Sequence, residues 1–217
     1  MPASQNWPRK NKERGIEQNS NTLNTKTMIF ATNNAHKLEE VRAILGEGFS
    51  LTTLREAGIT EDIPENEPTI EGNALAKARY VWAKTGADCF ADDTGLEVDA
   101  LGGAPGVHSA RYATDGHDFA ANRTKLLHEL EGVEQRTARF RTVVALIIDG
   151  KEYTFEGTVE GRITHEERGE GGFGYDALFQ PDGYTETFAE LPAEVKNDIS
   201  HRGRAMRLLA EWLHDNK

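Results

Sequence analysis

The sequence predicts an α/β fold, and three observations support that prediction. Segments with strand and helix periodicity alternate along the chain with no long linker between them. A buried strand over 27–32 leads through a short turn into a helix over 36–45. Two long strands over 139–148 and 152–163 are separated by Asp-Gly, which is a hairpin signal. We therefore expect parallel and antiparallel pairing in one mixed sheet flanked by helices.

The other elements are predicted in the same way. The helix over 36–45 has an apolar face and ends at Gly46. A second helix is predicted over 69–86, because small and apolar residues recur at four-residue spacing and permit close packing on a sheet. The remaining elements are strands over 87–93 and 96–101, a helix over 120–130, and a last helix from near Ser200.

Composition and charge limit the classes of function. A chain of 217 residues with 37% hydrophobic content fits one globular domain or two closely joined lobes. Residues 1–27 are polar and carry five basic against two acidic side chains, a balance of +3, and we predict a disordered extension there. The total of −11 leaves −14 on residues 28–217. An acidic domain of this kind is a poor candidate for binding nucleic acid or an anionic membrane.

The sequence also predicts a cytoplasmic protein. Residues 1–27 have neither the apolar stretch of a secretory signal nor the acidic-poor composition of a transit peptide. Nowhere do 18 apolar residues run together, so we expect no membrane span. The single Cys89 cannot form an internal disulfide, which favours a reducing compartment.

The segment ATNNAHK (31–37) joins the first strand to the first helix. Small polar residues at a helix start leave backbone N–H groups available, and Lys37 adds a cation in the first turn. Both features favour an anion, and phosphate is the obvious one. The alternative is that Asn33 or Asn34 merely caps the helix. The P-loop pattern G-x-x-x-x-G-K-[ST] does not occur in the sequence.

Asp92 and Asp93 lie at the end of a predicted strand. Adjacent strand residues face opposite sides, so we expect the chain to turn at Thr94-Gly95 if both carboxylates serve one cleft. Carboxylates at such a strand end suit Mg²⁺, which takes oxygen ligands. Glu65, in the loop EDIPENEP, could supply another ligand. The alternative is a solvated turn beside a charged loop.

A glycine-rich run, GGFGYD (171–176), offers two aromatic rings with little side chain around them. The glycines would let the backbone approach a flat ligand, a base could stack on Phe173 or Tyr175, and Asp176 could accept from a ring N–H. The alternative is a turn whose aromatic rings belong to the core.

Downstream, KNDISHR (196–202) places Lys196, His201 and Arg202 around a helix start. These side chains could read the polar edge of a base. The alternative is a charged helix entry with Ser200 as its cap.

Together these segments closely resemble the inosine/xanthosine triphosphate pyrophosphatases. The residues that carry the resemblance are ATNNAHKLEEVRAIL (31–45), NALAKA (73–78), ADDTGLEVDALGGAPGVHSARYA (91–113), GGFGYDALFQPDGY (171–184) and EVKNDISHRGRAM (194–206). The resemblance extends from about Met28 to the C-terminus and implies a pyrophosphatase domain over 28–217. It implies an elongated sheet in two lobes with the active-site cleft between them, a homodimer, and Mg²⁺ dependence. The implied reaction converts ITP, dITP or XTP to the monophosphate and pyrophosphate.

The resemblance also implies residue roles. Asp93 is expected to bind the metal and accept a proton, and Glu65 to bind the metal. The chemistry of the reaction adds that Lys37 would stabilise charge on the departing pyrophosphate and that Asp92 would assist. The expected substrate contacts are Thr32, Asn33, Asn34, Ala35, His36, Lys37, Thr94, Phe173, Gly174, Tyr175, Asp176, Lys196, His201 and Arg202.

Base chemistry suggests how the substrate is chosen. Hypoxanthine and xanthine carry a 6-keto oxygen where adenine carries an amine, so donors from Lys196, His201 or Arg202 would favour the keto bases. Two alternatives stay open at this point. One is a pyrophosphatase of modified pyrimidine or ordinary nucleotides, and the other is a nucleotide-binding module without catalysis.

Overall fold

In the computed structural model, the described residues are 26–46 and 49–216. The disordered extension predicted for residues 1–27 lies outside them, apart from Lys26 and Thr27, which begin the first strand. No helix within the described ranges is long and apolar enough to cross a membrane.

The described residues form one mixed sheet of seven strands. The strand order is β2-β1-β3-β5-β6-β7, and β4 pairs with β3 beside this path. β1 is parallel to β2 and β3, whereas the other pairs are antiparallel. The strands are β1 (Lys26–Phe30), β2 (Phe49–Thr53), β3 (Cys89–Val98), β4 (Pro105–Gly106), β5 (Thr137–Ile148), β6 (Lys151–Ile163) and β7 (Phe179–Pro181). The predicted α/β fold with a mixed sheet is confirmed, and the hairpin of β5 and β6 turns at Asp149-Gly150 as expected. The two-lobed arrangement stays an expectation.

Helices cover both faces of the sheet. They are α1 (Ala35–Leu45), α2 (Ile70–Thr85), α3 (Phe119–Glu129), α4 (Ala193–Ile199) and α5 (His201–Asp215). Successive residues of β1 serve different cores, because side chains alternate across a strand. Ile29 packs with α2 through Ala74 on one face, whereas Met28 and Phe30 pack with α1 and α5 on the other. The predicted helices over 36–45 and 69–86 are confirmed within a residue at each end.

The turn expected at Thr94-Gly95 is wrong. β3 continues straight through these residues, because it pairs antiparallel with β5 without interruption from Cys89 to Val98. The two strands predicted over 87–93 and 96–101 are therefore one strand. The extensive pairing outweighs the local turn preference of a single glycine.

The opposite edge of β3 is left open in its middle. β1 pairs with β3 only at Cys89 and Phe90, and β4 pairs only at Leu96 and Glu97. Between these points, the edge from 91 to 95 pairs with no strand in the described part of the chain. Residues from both faces of β3 can therefore reach one common space at this edge.

Candidate active site

A cavity of about 620 Å³ lies at the open edge of β3. It brings together nearly all the residues that the sequence predicted for the site. Its walls include Thr32, Asn33, Asn34, Lys37, Glu65, Asp92, Asp93, Thr94, Phe173, Gly174, Tyr175, Asp176, Lys196, His201 and Arg202. Of the predicted contacts, Ala35 and His36 are exposed and do not line the cavity.

The start of α1 forms one end of the cavity. Asn34 caps the helix by accepting a hydrogen bond from the Lys37 amide at 3.2 Å, and its own amide donates to Thr32 Oγ1 at 3.1 Å. The capping alternative is therefore correct for Asn34. It does not exclude an anion site, because the first turn of any helix contains more N–H groups than one cap can satisfy. Lys37 Nζ lies 3.0 Å from Asp92 Oδ1 and brings a cation to this end.

Asp92 and Asp93 reach the cavity from opposite faces of β3. Asp92 is fully buried between Lys37 and Arg202, which donates from Nε at 3.2 Å. Asp93 accepts from Asn73 and Lys77 of α2, each at 3.2 Å. Burial alone would raise the pKa of Asp92, but the charges of Lys37 and Arg202 outweigh it and hold that pKa below its usual value. Burial raises the pKa of Asp93, and Lys77 opposes this only in part.

Lys77 is a site residue that sequence reasoning missed. Its Nζ lies 2.7 Å from Glu65 Oε1 and 3.2 Å from Asp93 Oδ1. The buried face of α2 contains two polar residues, Asn73 and Lys77, among Ile70, Ala74, Ala78 and Val81. A lysine four residues after an asparagine, in a stripe that is otherwise apolar, is the signal that could have identified both.

Glu40 is the second residue that was missed. It accepts from Lys196 Nζ at 2.7 Å and also from the Arg202 guanidinium. Burial would raise the pKa of Glu40, but Arg202 and Lys196 outweigh it and lower the pKa. Since Glu40 lies one turn after Lys37 in α1, it connects the anion end of the cavity with Lys196 and Arg202.

Phe173 forms another wall of the cavity. Its ring stacks with the exposed His36 ring at a centroid distance of 5.4 Å and an interplanar angle of 16°. Lys196 Nζ lies 5.3 Å and Arg202 Cζ 5.6 Å from the centroid of the same ring. A flat ligand over Phe173 would therefore lie within reach of two cations.

Tyr175 and Asp176 hold the Phe173 loop in place. Tyr175 is buried, and its hydroxyl donates to Ser109 O at 2.9 Å, so the core alternative is correct for this ring. Asp176 Oδ2 accepts from the Phe173 amide at 2.7 Å and from Lys196 Nζ at 2.9 Å. Gly172 has a φ of +70°, and a side chain there would clash with the Asp176 carboxylate. The glycine thus makes room for the protein's own carboxylate, whereas the sequence suggested room for a ligand.

His201 lies at the base of the cavity, at the start of α5. Its ring stacks on Phe140 with a centroid distance of 4.5 Å. Its Nδ1 is buried and has no hydrogen-bond partner among the described residues. Burial, together with the neighbouring Arg202 charge, lowers the pKa of His201 well below its ordinary value, so the ring is neutral. α5 can approach the sheet this closely because Gly157 of β6 has no side chain to meet the His201 carbonyl.

The carboxylates of Glu65 and Asp93 fit a divalent metal. They converge on one cation, the Lys77 ammonium. Mg²⁺ is commonly held by one or two protein carboxylates, with water and substrate phosphates completing its shell. Within residues 26–46 and 49–216, no group of three or more His, Cys, Asp or Glu side chains is placed to hold a metal. Two converging carboxylates beside an anion site therefore suit a Mg²⁺ that shares its ligands with a nucleotide.

Comparisons with known proteins agree with this architecture. Residues 28–212 match the Ham1 family. The dITP/XTP pyrophosphatase of Flavobacterium johnsoniae is 49% identical over 190 residues, which cover 88% of this chain and 99% of that protein. The dITP/XTP pyrophosphatase of Porphyromonas gingivalis is 54% identical over 187 residues, which cover 86% and 96%.

Solved structures lead to the same family. The Ham1 protein of Staphylococcus aureus superposes with a TM-score of 0.81 at 36% identity, covering 88% of this chain and all of that one. The nucleoside-triphosphatase / dITP/XTP pyrophosphatase of Mycobacterium abscessus superposes with a TM-score of 0.70 at 42% identity, covering 84% and 98%. With matches this extensive in both sequence and structure, the chain belongs to the Ham1 family.

Proposed function

We propose that this protein hydrolyses the nonstandard purine nucleoside triphosphates ITP, dITP and XTP to the monophosphate and pyrophosphate. One observation carries the proposal: a single cavity joins a cationic helix start, a buried carboxylate pair and an aromatic platform flanked by cations. These are the partners that a triphosphate, a reacting phosphorus and a keto purine require. The two curated relatives named above are dITP/XTP pyrophosphatases, which supports the assignment. We assign residues 28–217 to this catalytic domain.

The triphosphate is bound in this proposal at the start of α1. Thr32, Asn33 and Asn34 supply polar groups, and Ala35 and His36 contribute backbone amides although their side chains lie outside the cavity. Lys37 stabilises charge on the departing pyrophosphate. Asp92 fixes the Lys37 ammonium through its 3.0 Å contact, which is how Asp92 assists.

Asp93 accepts the proton of the attacking water. The Asp93 carboxylate lines the cavity beside the proposed triphosphate site, where it can accept that proton. Asp93 and Glu65 would hold the Mg²⁺ that this proposal includes. That ion would neutralise phosphate oxygens and make the phosphorus more open to attack. Thr94 contacts the substrate next to the reacting group.

The base lies against Phe173 and is read at its keto edge. Lys196 and Arg202 are donors, and His201 brings a buried ring nitrogen that has no hydrogen-bond partner in the described part of the chain. A 6-keto oxygen accepts from such donors, whereas the 6-amino group of adenine would face them with donors of its own. A mismatch of this kind in a buried site is worth on the order of 10⁴ in kcat/KM.

We also propose that the enzyme is a cytoplasmic homodimer. The single cysteine, Cys89, is buried, which accords with a reducing compartment. The dimer is an implication of the family resemblance. Size-exclusion chromatography with light scattering measures it directly, and a monomeric mass at micromolar concentration would contradict it.

Hydrolysis of ITP in H₂¹⁸O tests the proposed reaction. Attack at the α-phosphorus places the label in IMP and leaves pyrophosphate unlabelled. Label in pyrophosphate would mean attack at the β-phosphorus, and labelled orthophosphate would mean removal of the terminal phosphate. Either result would reject the proposed reaction.

A further inference from the structure

One buried lysine, Lys77, holds both carboxylates of the proposed metal site. Its Nζ bridges Glu65 Oε1 at 2.7 Å and Asp93 Oδ1 at 3.2 Å, and the residue is 6% exposed. Two carboxylates face this one ammonium, and Arg111 Nη2 lies 3.4 Å from Glu65 Oε2, so cations from the protein already offset most of the negative charge. In this state the carboxylate pair already has a cation.

A divalent cation that binds Glu65 Oε1 and Asp93 Oδ1 displaces Lys77. Mg²⁺ binds carboxylate oxygens at about 2.1 Å, so it would take the place next to these two oxygens that the ammonium now occupies. Two cations sharing the same pair of oxygens would also repel each other strongly, since the site is poorly screened. The second oxygen of each carboxylate already contacts Arg111 or Asn73. The ammonium must therefore leave as the metal enters.

A displaced Lys77 needs a new anion. The long, flexible lysine stem lets the ammonium move, but a buried charge left without a partner is strongly unfavourable. Lys77 lines the same cavity as Lys37, at which we place the triphosphate. Phosphate oxygens are the anions that would enter this cavity with the substrate.

We propose that Lys77 is a latch on the metal site: it occupies Glu65 and Asp93 in the nucleotide-free protein and transfers to the phosphates as metal and nucleotide bind. This inference rests on the proposed function for the identity of the anion. The latch makes metal binding and nucleotide binding depend on each other. The metal displaces the Lys77 ammonium, and the nucleotide supplies the phosphate oxygens that the displaced ammonium needs. The free protein is consequently a poor binder of divalent cations.

Binding of Mn²⁺ to the nucleotide-free protein tests the latch without any turnover. Electron paramagnetic resonance measures free Mn²⁺ during titration of the wild type, Lys77→Gln and Lys84→Gln. Lys84 is the matched control, because it lies on the same helix and pairs with a different acid, Glu61. We expect Lys77→Gln to bind Mn²⁺ about ten-fold tighter, a difference of roughly 1.4 kcal/mol. Lys84→Gln should match the wild type.

Equal or weaker Mn²⁺ binding by Lys77→Gln would overturn the latch, as would a lack of binding by all three proteins. If circular dichroism shows that Lys77→Gln is unfolded, the same Mn²⁺ titration of Lys77→Arg tests the latch. A guanidinium is permanently charged and grips two carboxylates more firmly, so Lys77→Arg should bind Mn²⁺ at least about three-fold more weakly than the wild type. Equal or tighter binding by Lys77→Arg would contradict the latch.

The experiments distinguish a failure of the latch from a failure of the proposed function. A wild type that shows the Lys77 effect on Mn²⁺ but releases no pyrophosphate from ITP would refute the function and leave the latch standing. A protein that releases pyrophosphate but shows no Lys77 effect would refute only the latch.

Discussion

Asp92 and Asp93 are adjacent in β3 and leave the strand on opposite faces, yet both line the same cavity. Asp92 lies between Lys37 and Arg202, whereas Asp93 contacts Lys77. The open edge of β3 makes this possible without a turn. Neighbouring carboxylates thus have different partners, and we expect their substitutions to have different consequences.

Substitution of Asp93 by Asn should abolish most hydrolysis and leave the fold intact. The amide cannot accept the proton of the attacking water, and loss of a general base typically costs 10²–10⁴ in rate. Steady-state pyrophosphate release from ITP measures the effect, and circular dichroism checks the fold. Asp182→Asn, at an exposed position, is the control. Turnover within about two-fold of the wild type would remove Asp93 from its proposed role.

Substitution of Asp92 by Asn should instead reduce stability. It leaves the half-buried Lys37 ammonium without its carboxylate and deprives the buried Arg202 of one of its two acids. Breaking a buried ion pair on one side typically costs about 3 kcal/mol in the free energy of unfolding. Asp93→Asn should cost less, because Lys77 keeps Glu65. Urea unfolding of both variants measures the difference, and equal losses would contradict it.

Glu40 should act as a positioning residue for the base end of the cavity. In Glu40→Gln, Lys196 and Arg202 each lose one of the two carboxylates with which they pair. We expect KM for ITP to rise about ten-fold with a smaller change in kcat, which is the effect of losing a charge-assisted hydrogen bond. Glu39→Gln, at the exposed neighbouring position, should behave like the wild type. A change in kcat alone would argue against positioning.

His201 should make stability depend on pH. The folded protein keeps the ring neutral, whereas in the unfolded chain it takes up a proton near pH 6.5. The unfolded state therefore binds more protons below that pH, and stability is complete above it and declines as pH falls through it. Between pH 7.5 and pH 5.5 the wild type should lose about 1.4 kcal/mol more than His201→Gln.

Urea unfolding at the two pH values measures this difference. His214→Gln is the control, since His214 is an exposed histidine of the same helix and should leave the pH dependence of the wild type unchanged. An identical pH dependence in the wild type and His201→Gln would show that His201 is protonated in the folded state as well.

Local signals predicted much of this fold. α1 and α2 follow from apolar periodicity and from the glycines that end them, and the β5–β6 hairpin follows from Asp149-Gly150. These features depend on residues close in sequence. The predicted turn at Thr94-Gly95 is wrong because pairing with β5, which is distant in sequence, decides the path of the chain there.

The site residues also divide into those that the local sequence predicts and those that only tertiary packing reveals. Lys37, Asp93 and Phe173 lie in segments whose composition already suggests chemistry. Glu40 lies in a helix, where an isolated charged residue is indistinguishable from a solvated surface position, and Lys77 differs only by its place in an otherwise apolar helix stripe. Their role becomes visible only when packing buries them against partners from other elements, in the case of Glu40 more than 150 residues away.

Separate assays of pyrophosphate and orthophosphate test both the proposed hydrolysis and its selectivity. Purified protein with Mg²⁺ receives ITP, dITP, XTP, GTP and ATP in parallel. We expect rapid pyrophosphate release from the first three, little from ATP because of its 6-amino group, and little from GTP, whose rejection must involve its 2-amino group because guanine shares the 6-keto oxygen. Equal rates on all five, release of single phosphates, or no turnover would contradict it and leave the cations around Phe173 without a role in reading the base.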